Sequence, residues 1–125
     1  MSSQQKKGRV FVVQKTMRWD STKGELVPKF DVSPAQEYGE IVYLLSPTAS
    51  PFRPDSLLGE LHEKLKDFTP DDYLLLIGSP VIIGLAVAIA ADYTDGEVKV
   101  LQWSGKAGKY LPIEVRGLFN DCGPV

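Results

Sequence analysis

The stretch Leu74–Ala91, LLLIGSPVIIGLAVAIAA, carries no charged residue and is long enough to raise the question of a membrane span. Three features answer it. Gly78-Ser79-Pro80 interrupts the apolar run, and a proline inside a helix costs about 3 kcal/mol. The flanks are Asp71, Asp72 and Asp92, without the Lys/Arg bias that anchors a span. The two halves also differ in kind. Tyr73 to Ile77 is short and aliphatic, like a buried strand, whereas Val81 to Tyr93 is Ala-rich and long enough for a helix. Ser79 supplies an N-cap and Pro80 a first-turn proline. The stretch reads as strand, tight turn and buried helix, with no membrane role.

The same alternation continues outward on both sides. Downstream, the Asp95-Gly96 turn leads into a strand from Val98 to Trp103, and a hairpin returns as Tyr110 to Val115. Upstream, Leu57, Leu58, Leu61, Leu65 and Phe68 fall on one stripe about 100° wide, with Glu60, Glu63, Lys66 and Asp67 outside it. Asp55 or Ser56 caps that helix. The loop SPTASPFRP (Ser46 to Pro54) separates it from Ile41 to Leu45 (IVYLL), expected as a second buried strand. Ser33-Pro34 opens a short helix through Tyr38, and Val10 to Gln14 (VFVVQ) is the first strand. Trp19 to Gly24 is turn chemistry, with a second arm returning from Leu26 to Val32.

Strands alternating with helices imply right-handed crossovers. The expected fold is α/β: a small, mainly parallel sheet of about four to five strands, helices packed on it, and an antiparallel C-terminal hairpin. Residues 9–116 form one domain with a basic hairpin arm at about 17–32. Residues 1–8 and 117–125 are expected to be flexible. A chain of 125 residues with 43% hydrophobic and 24% charged residues can bury such a core without a metal or disulfide staple. Cys122 is the only cysteine, so it forms no intrachain disulfide. The polar N-terminus, MSSQQKKGRV, has no apolar stretch ahead of a cleavage site, which argues against secretion, so the cytoplasm or a host cytoplasm is the expected location.

The net charge of −2 conceals a sharper pattern. Residues 1–29 carry +5, residues 30–98 carry −9 and residues 99–125 carry +2. The basic ends coincide with a recurrence: Trp19, Gly24 and Pro28 repeat in spacing as Trp103, Gly108 and Pro112. Hairpins share turn chemistry, with Gly for positive φ and Pro on an edge, and that accounts for the spacing. If both hairpins leave the same edge, Trp19, Trp103 and Tyr110 stand among Lys23, Lys106 and Lys109. Aromatic rings among backbone-neutralising cations suit single-stranded nucleic acid.

Counting excludes most catalysis. His62, the sole histidine, lies roughly 40° past Leu58 on the helical wheel, where it packs at the edge of the apolar stripe. Asp71 and Asp72 are adjacent and point opposite ways on a strand, so one shared ion is awkward. We therefore expect no catalytic residue, no metal and no cofactor, and the chain leans away from enzymes. The best small-molecule candidate is the Gly78-Ser79 turn, since ligands of parallel sheets bind beyond the carboxyl ends of strands and helix N-termini attract anions. Ser46, Thr48 and Arg53 are expected to line the same crevice. Structural capping by Ser79 and Pro80 is enough to explain the turn and is the favoured reading of it.

The block Phe68 to Val115 (FTPDDYLLLIGSPVIIGLAVAIAADYTDGEVKVLQWSGKAGKYLPIEV), with EYGEIVYLL before it, resembles short proteins of tailed bacteriophages that have no assigned activity. The resemblance implies a viral origin and nothing chemical. Three roles follow. The first is a non-enzymatic binding protein acting on a host or phage macromolecule, either a host protein or single-stranded nucleic acid. The second is a small-anion or nucleotide binder, or an enzyme built on that site. The third is a virion accessory protein. A homodimer is also expected. Between Val81 and Ala91 no side chain is polar, and one sheet covers either the Ile82, Leu85, Ile89 stripe or the Gly84, Ala88, Ala91 stripe, but not both.

Overall fold

The computed structural model describes residues 8–119 of the chain. Strands β1 (Arg9–Gln14), β4 (Glu40–Leu45), β5 (Tyr73–Leu75), β6 (Val98–Ser104) and β7 (Lys109–Val115) form a five-stranded sheet in the order β4-β1-β5-β6-β7. The first four are parallel and β7 runs antiparallel to β6. A separate antiparallel ribbon, β2 (Met17–Asp20) with β3 (Glu25–Pro28), leaves the carboxyl end of β1. Helices α1 (Asp55–Leu65) and α2 (Pro80–Tyr93) complete the fold, with a 3-10 turn at Ser33–Tyr38. The mainly parallel α/β sheet with a C-terminal antiparallel pair is the architecture expected above. No described helix is long and apolar enough to cross a membrane.

The strand order explains how each face is covered. A right-handed crossover that moves along the sheet in one direction covers one face, and a move in the other direction covers the opposite face. The passage from β1 to β4 moves one way and lays the 3-10 turn on one face, against Val10, Val12, Leu75 and Leu101. The passages β4-α1-β5 and β5-α2-β6 move the other way and lay both helices against Phe11, Val13, Leu74 and Val100. The alternation of Val10 and Val12 with Phe11 and Val13 is the period-two pattern of a strand buried on both faces.

Several local expectations differ in detail. β5 ends at Leu75, because Ile77 turns back and its N–H donates to the Leu75 carbonyl at 2.8 Å. Pro54 precedes α1 without a side-chain cap, and Ser56 Oγ donates to the Arg53 carbonyl. Ser79 does stand at the N-cap of α2 with Pro80 in the first turn, yet its hydroxyl makes no capping bond. Ser33 lies inside the 3-10 turn; its N–H and Oγ both donate to Asp31 Oδ1, at 3.0 and 2.7 Å.

Helix α2 buries Ile82, Ala86, Ile89, Ala90 and Ala91 against the sheet and α1, and leaves Val81, Gly84 and Ala88 exposed. Ala91 therefore parts from the small-residue stripe expected above. Of the expected free ends, residues 1–7 and 120–125 lie outside the described residues. Gly8 packs so closely that a Cβ there would strike the Asp71 carbonyl, and Leu118 N–H donates to Gly96 O at 3.4 Å.

Candidate functional site

The strand order reverses direction about β1, so the topological switch point falls between β1 and β5. Gln14 fills it. Its Nε2 donates to Ser46 O at 3.3 Å and Ala49 O at 3.0 Å, and its Oε1 accepts from Ser79 N–H at 3.3 Å. Gly78 has φ +137°, and a Cβ there would fall 2.8 Å from Gln14 Cβ. The place expected for an anion thus holds an amide, and the Ser79 N–H is engaged. Ser46 Oγ and Thr48 Oγ1 bond each other at 2.9 Å, and Arg53 is exposed on the following loop. The turn, Ser46 and Thr48 do come together, with Gln14 between them. No sequence signal distinguished that glutamine from any polar residue ending a strand.

A larger opening lies one strand further along. A cleft of about 770 Å³ is lined by the foot of the ribbon (Thr16, Lys29, Phe30, Asp31), the departing end of β5 (Leu75 to Gly78) and the β6–β7 hairpin (Gln102, Trp103, Tyr110). Its cause is a broken ladder. Leu76 N–H donates to Leu101 O at 3.2 Å, so the main chain of Leu101 faces β5, and by strand alternation that of Trp103 does too. The next rungs would join Trp103 to Leu76 and Gly78. No such bond exists, because β5 has turned away at Ile77. The same parity puts Pro112, opposite Leu101, where its missing N–H would face outward.

Both hairpins therefore rise from the carboxyl end of the parallel strands and flank one cleft. Their turns are alike. Gly24 N–H donates to Asp20 O and Gly108 N–H to Ser104 O, each at 2.7 Å, with φ of 66° and 68°. Asp20 Oδ1 accepts from Thr22 N–H, and Ser104 Oγ from Ala107 N–H. The repeated Trp-Gly-Pro spacing is shared turn chemistry.

Trp19 is 61% and Trp103 50% exposed, and Lys23, Lys106 and Lys109 are exposed. Tyr110 departs from the expected aromatic surface. It is 4% exposed, donates its hydroxyl to Asp31 O at 3.0 Å and meets the Trp103 ring edge-on at 5.1 Å. Burial, aided by the Asp31 carboxylate and Tyr43, holds its phenol above the ordinary 10.0. It positions Trp103 and the 30–33 segment, and offers no free ring for stacking. Thr16 Oγ1, also in the cleft wall, is buried and has no hydrogen-bond partner among the described residues.

At the opposite end of the sheet, Asp72 is buried and accepts from Arg9 N–H (2.8 Å), Thr69 N–H (2.8 Å), Thr69 Oγ1 (3.1 Å) and the Arg9 guanidinium (3.1 Å). These bonds tie the entry of β5 to the start of β1, whereas Asp71 is exposed and bonds through its main chain, its N–H donating to Thr69 Oγ1 at 3.1 Å. His62 is exposed and contacts Tyr93, with Nδ1 3.2 Å from the hydroxyl.

Fold and cleft together define a small α/β protein whose parallel sheet presents a hairpin-flanked cleft at its carboxyl end. The chain belongs to the Phage Pam3 gp32-like protein family, whose model matches residues 8–117. It is a small phage-encoded protein, in line with the resemblance seen in its sequence. No curated protein and no solved structure matches it.

Proposed function

We propose that this phage protein is a non-enzymatic binding protein that holds single-stranded nucleic acid, of host or phage, across the carboxyl end of its sheet. The observation that carries the reading is the convergence of the two hairpins on one cleft. It brings Trp19 and Trp103, two half-exposed rings, to the end that also carries Lys23, Lys106 and Lys109. Rings supply sequence-tolerant stacking, worth about 1–3 kcal/mol per base, and cations neutralise phosphates. Tryptophan fluorescence titrated with single-stranded oligonucleotides tests this. Quenching at low salt that weakens with a slope of about 0.7 per neutralised phosphate supports it. An absence of quenching at low salt removes it, and a partner pulled from lysate that survives nuclease treatment would point to a host protein instead.

The reading includes a homodimer through α2. Its support is that Val81, Gly84 and Ala88 remain exposed on a helix without a polar face between Val81 and Ala91. Light scattering at micromolar concentration decides it: a mass twice 13.8 kDa supports the dimer and 13.8 kDa refutes it.

A further inference from the structure

The cleft differs from a general stacking surface in one respect: it presents main-chain groups that have no main-chain partner among the described residues. Where β6 outruns β5, Trp103 N–H and C=O have no ladder partner, and Leu76 C=O and Gly78 N–H, which would have met them, have none in the main chain among the described residues. Two donors and two acceptors are thus left along one gap. The run is a single residue long on the β6 side, because Ser104 already closes the hairpin turn. An added peptide strand needs several alternate residues to pair. A planar heterocycle needs only two or three groups along one edge.

The surroundings of the gap suit such a ring. Phe30 and Trp103 are both about half exposed on its walls, at 46% and 50%. Lys29 is the one cation among the lining residues, with its Nζ 5.4 Å from the centre of the Phe30 ring, and Asp31 is the one carboxylate. The cleft's 770 Å³ lies within the roughly 300–1,000 Å³ of small-molecule sites.

We infer that the cleft seats one nucleobase, its polar edge on the main chain of Trp103, Leu76 and Gly78, its faces against Phe30 or Trp103, and its phosphate toward Lys29. This deepens and rests on the reading of the hairpin surface as a nucleic-acid interface. That surface would give affinity without sequence, and the cleft would add preference, since the four bases differ in the donors and acceptors along their edges. A base in a strand and the base of a free mononucleotide share this chemistry.

Two measurements on the full chain test it. In the first, the four mononucleotides are titrated against ¹⁵N-labelled protein and the amide resonances are followed. Shifts at Trp103 and Gly78 with at least one of them support the site. In the second, single strands of each base are titrated at low salt against wild type and Phe30→Ala. Wild type is expected to favour one base by about tenfold, the size of one well-made base contact, and Phe30→Ala to lose that preference. Equal affinity for all four strands, with the Trp103 and Gly78 resonances unmoved by mononucleotides, overturns the base site and leaves the hairpin interface standing. Failure of both strands and mononucleotides to bind overturns the two together. Should Phe30→Ala fold poorly, the mononucleotide titration on wild type still decides.

Discussion

The Gln14 amide holds three chain segments at once, the loop at Ser46 and Ala49, the start of α2 and its own strand, and Gly78 makes room for it. At φ +137° an L side chain is strained, and Gly78→Val also drives a Cβ toward Gln14. We expect Gly78→Val to cost about 2–3 kcal/mol, read from the urea midpoint. A Cβ at Gly78 meets Gln14 Cβ at 2.8 Å and Oε1 at 3.1 Å, so adding Gln14→Gly, which removes both atoms, should cost less than the two single changes combined; full additivity would show that the contact is not the cause.

Asp72 gives a pH dependence. Burial pushes its carboxyl up, but hydrogen bonds from the Arg9 side chain, Thr69 and the Arg9 main chain, with the Arg9 charge, outweigh this and hold it below the ordinary 3.8. The native state therefore binds this proton less readily than the unfolded chain. The stabilisation is complete above the ordinary value and is lost as pH falls through the native one. Asp72→Asn should cost about 2 kcal/mol at neutral pH and flatten the fall in urea midpoint below about pH 4. An unchanged acid limb in the variant would rule Asp72 out as its source.

At the scale of elements, α2 is apolar around its circumference, so its sequence offers no preferred face. Packing against the sheet and α1 selects Ile82, Ala86 and Ile89. A Cβ at Gly84 would meet nothing within 4 Å. Gly84→Ala is therefore expected to stabilise the fold by about 0.5–1 kcal/mol through helix propensity, as a higher melting temperature. A loss of stability would mean that Gly84 lies against something the single chain does not supply. The two hairpins make the complementary point. Their turns were legible from Gly24 and Gly108, which sit at positive φ as such turns require. Where the hairpins stand relative to each other was not, because that depends on β6 lying beside β5 while the ribbon leaves β1.

Across the whole molecule, charge is polarised along the strands. Lys15, Arg18, Lys23, Lys29, Lys106 and Lys109 lie toward the carboxyl end, while Asp67, Asp71, Asp95 and Glu97 lie in the loops at the amino end, with Asp92 in the last turn of α2 beside them. A strand polyanion would approach the first end and be repelled by the second. Replacing Lys23, Lys106 and Lys109 together by Glu should leave the urea midpoint nearly unchanged, since exposed substitutions cost under about 0.5 kcal/mol each. The same variant is expected to lose single-strand binding at low salt. Retained affinity would move the interface away from the hairpins.

The alternation of elements was legible in the chain, because hydrophobic period and Gly/Pro punctuation act over a few residues. VFVVQ is buried on both faces as expected, whereas IVYLL, expected as a second buried strand, is the sheet edge, where only Leu44 and Leu45 are buried and Tyr43 is exposed. What happens at the sheet's carboxyl end was not legible in the chain, because it rests on contacts between distant segments. Gln14 meets carbonyls 32 and 35 residues away, Tyr110 turns inward to a carbonyl 79 residues away, and the cleft exists because β5 stops three residues short of β6. Each depends on strand order and register, which bring distant segments together and leave no trace in local composition.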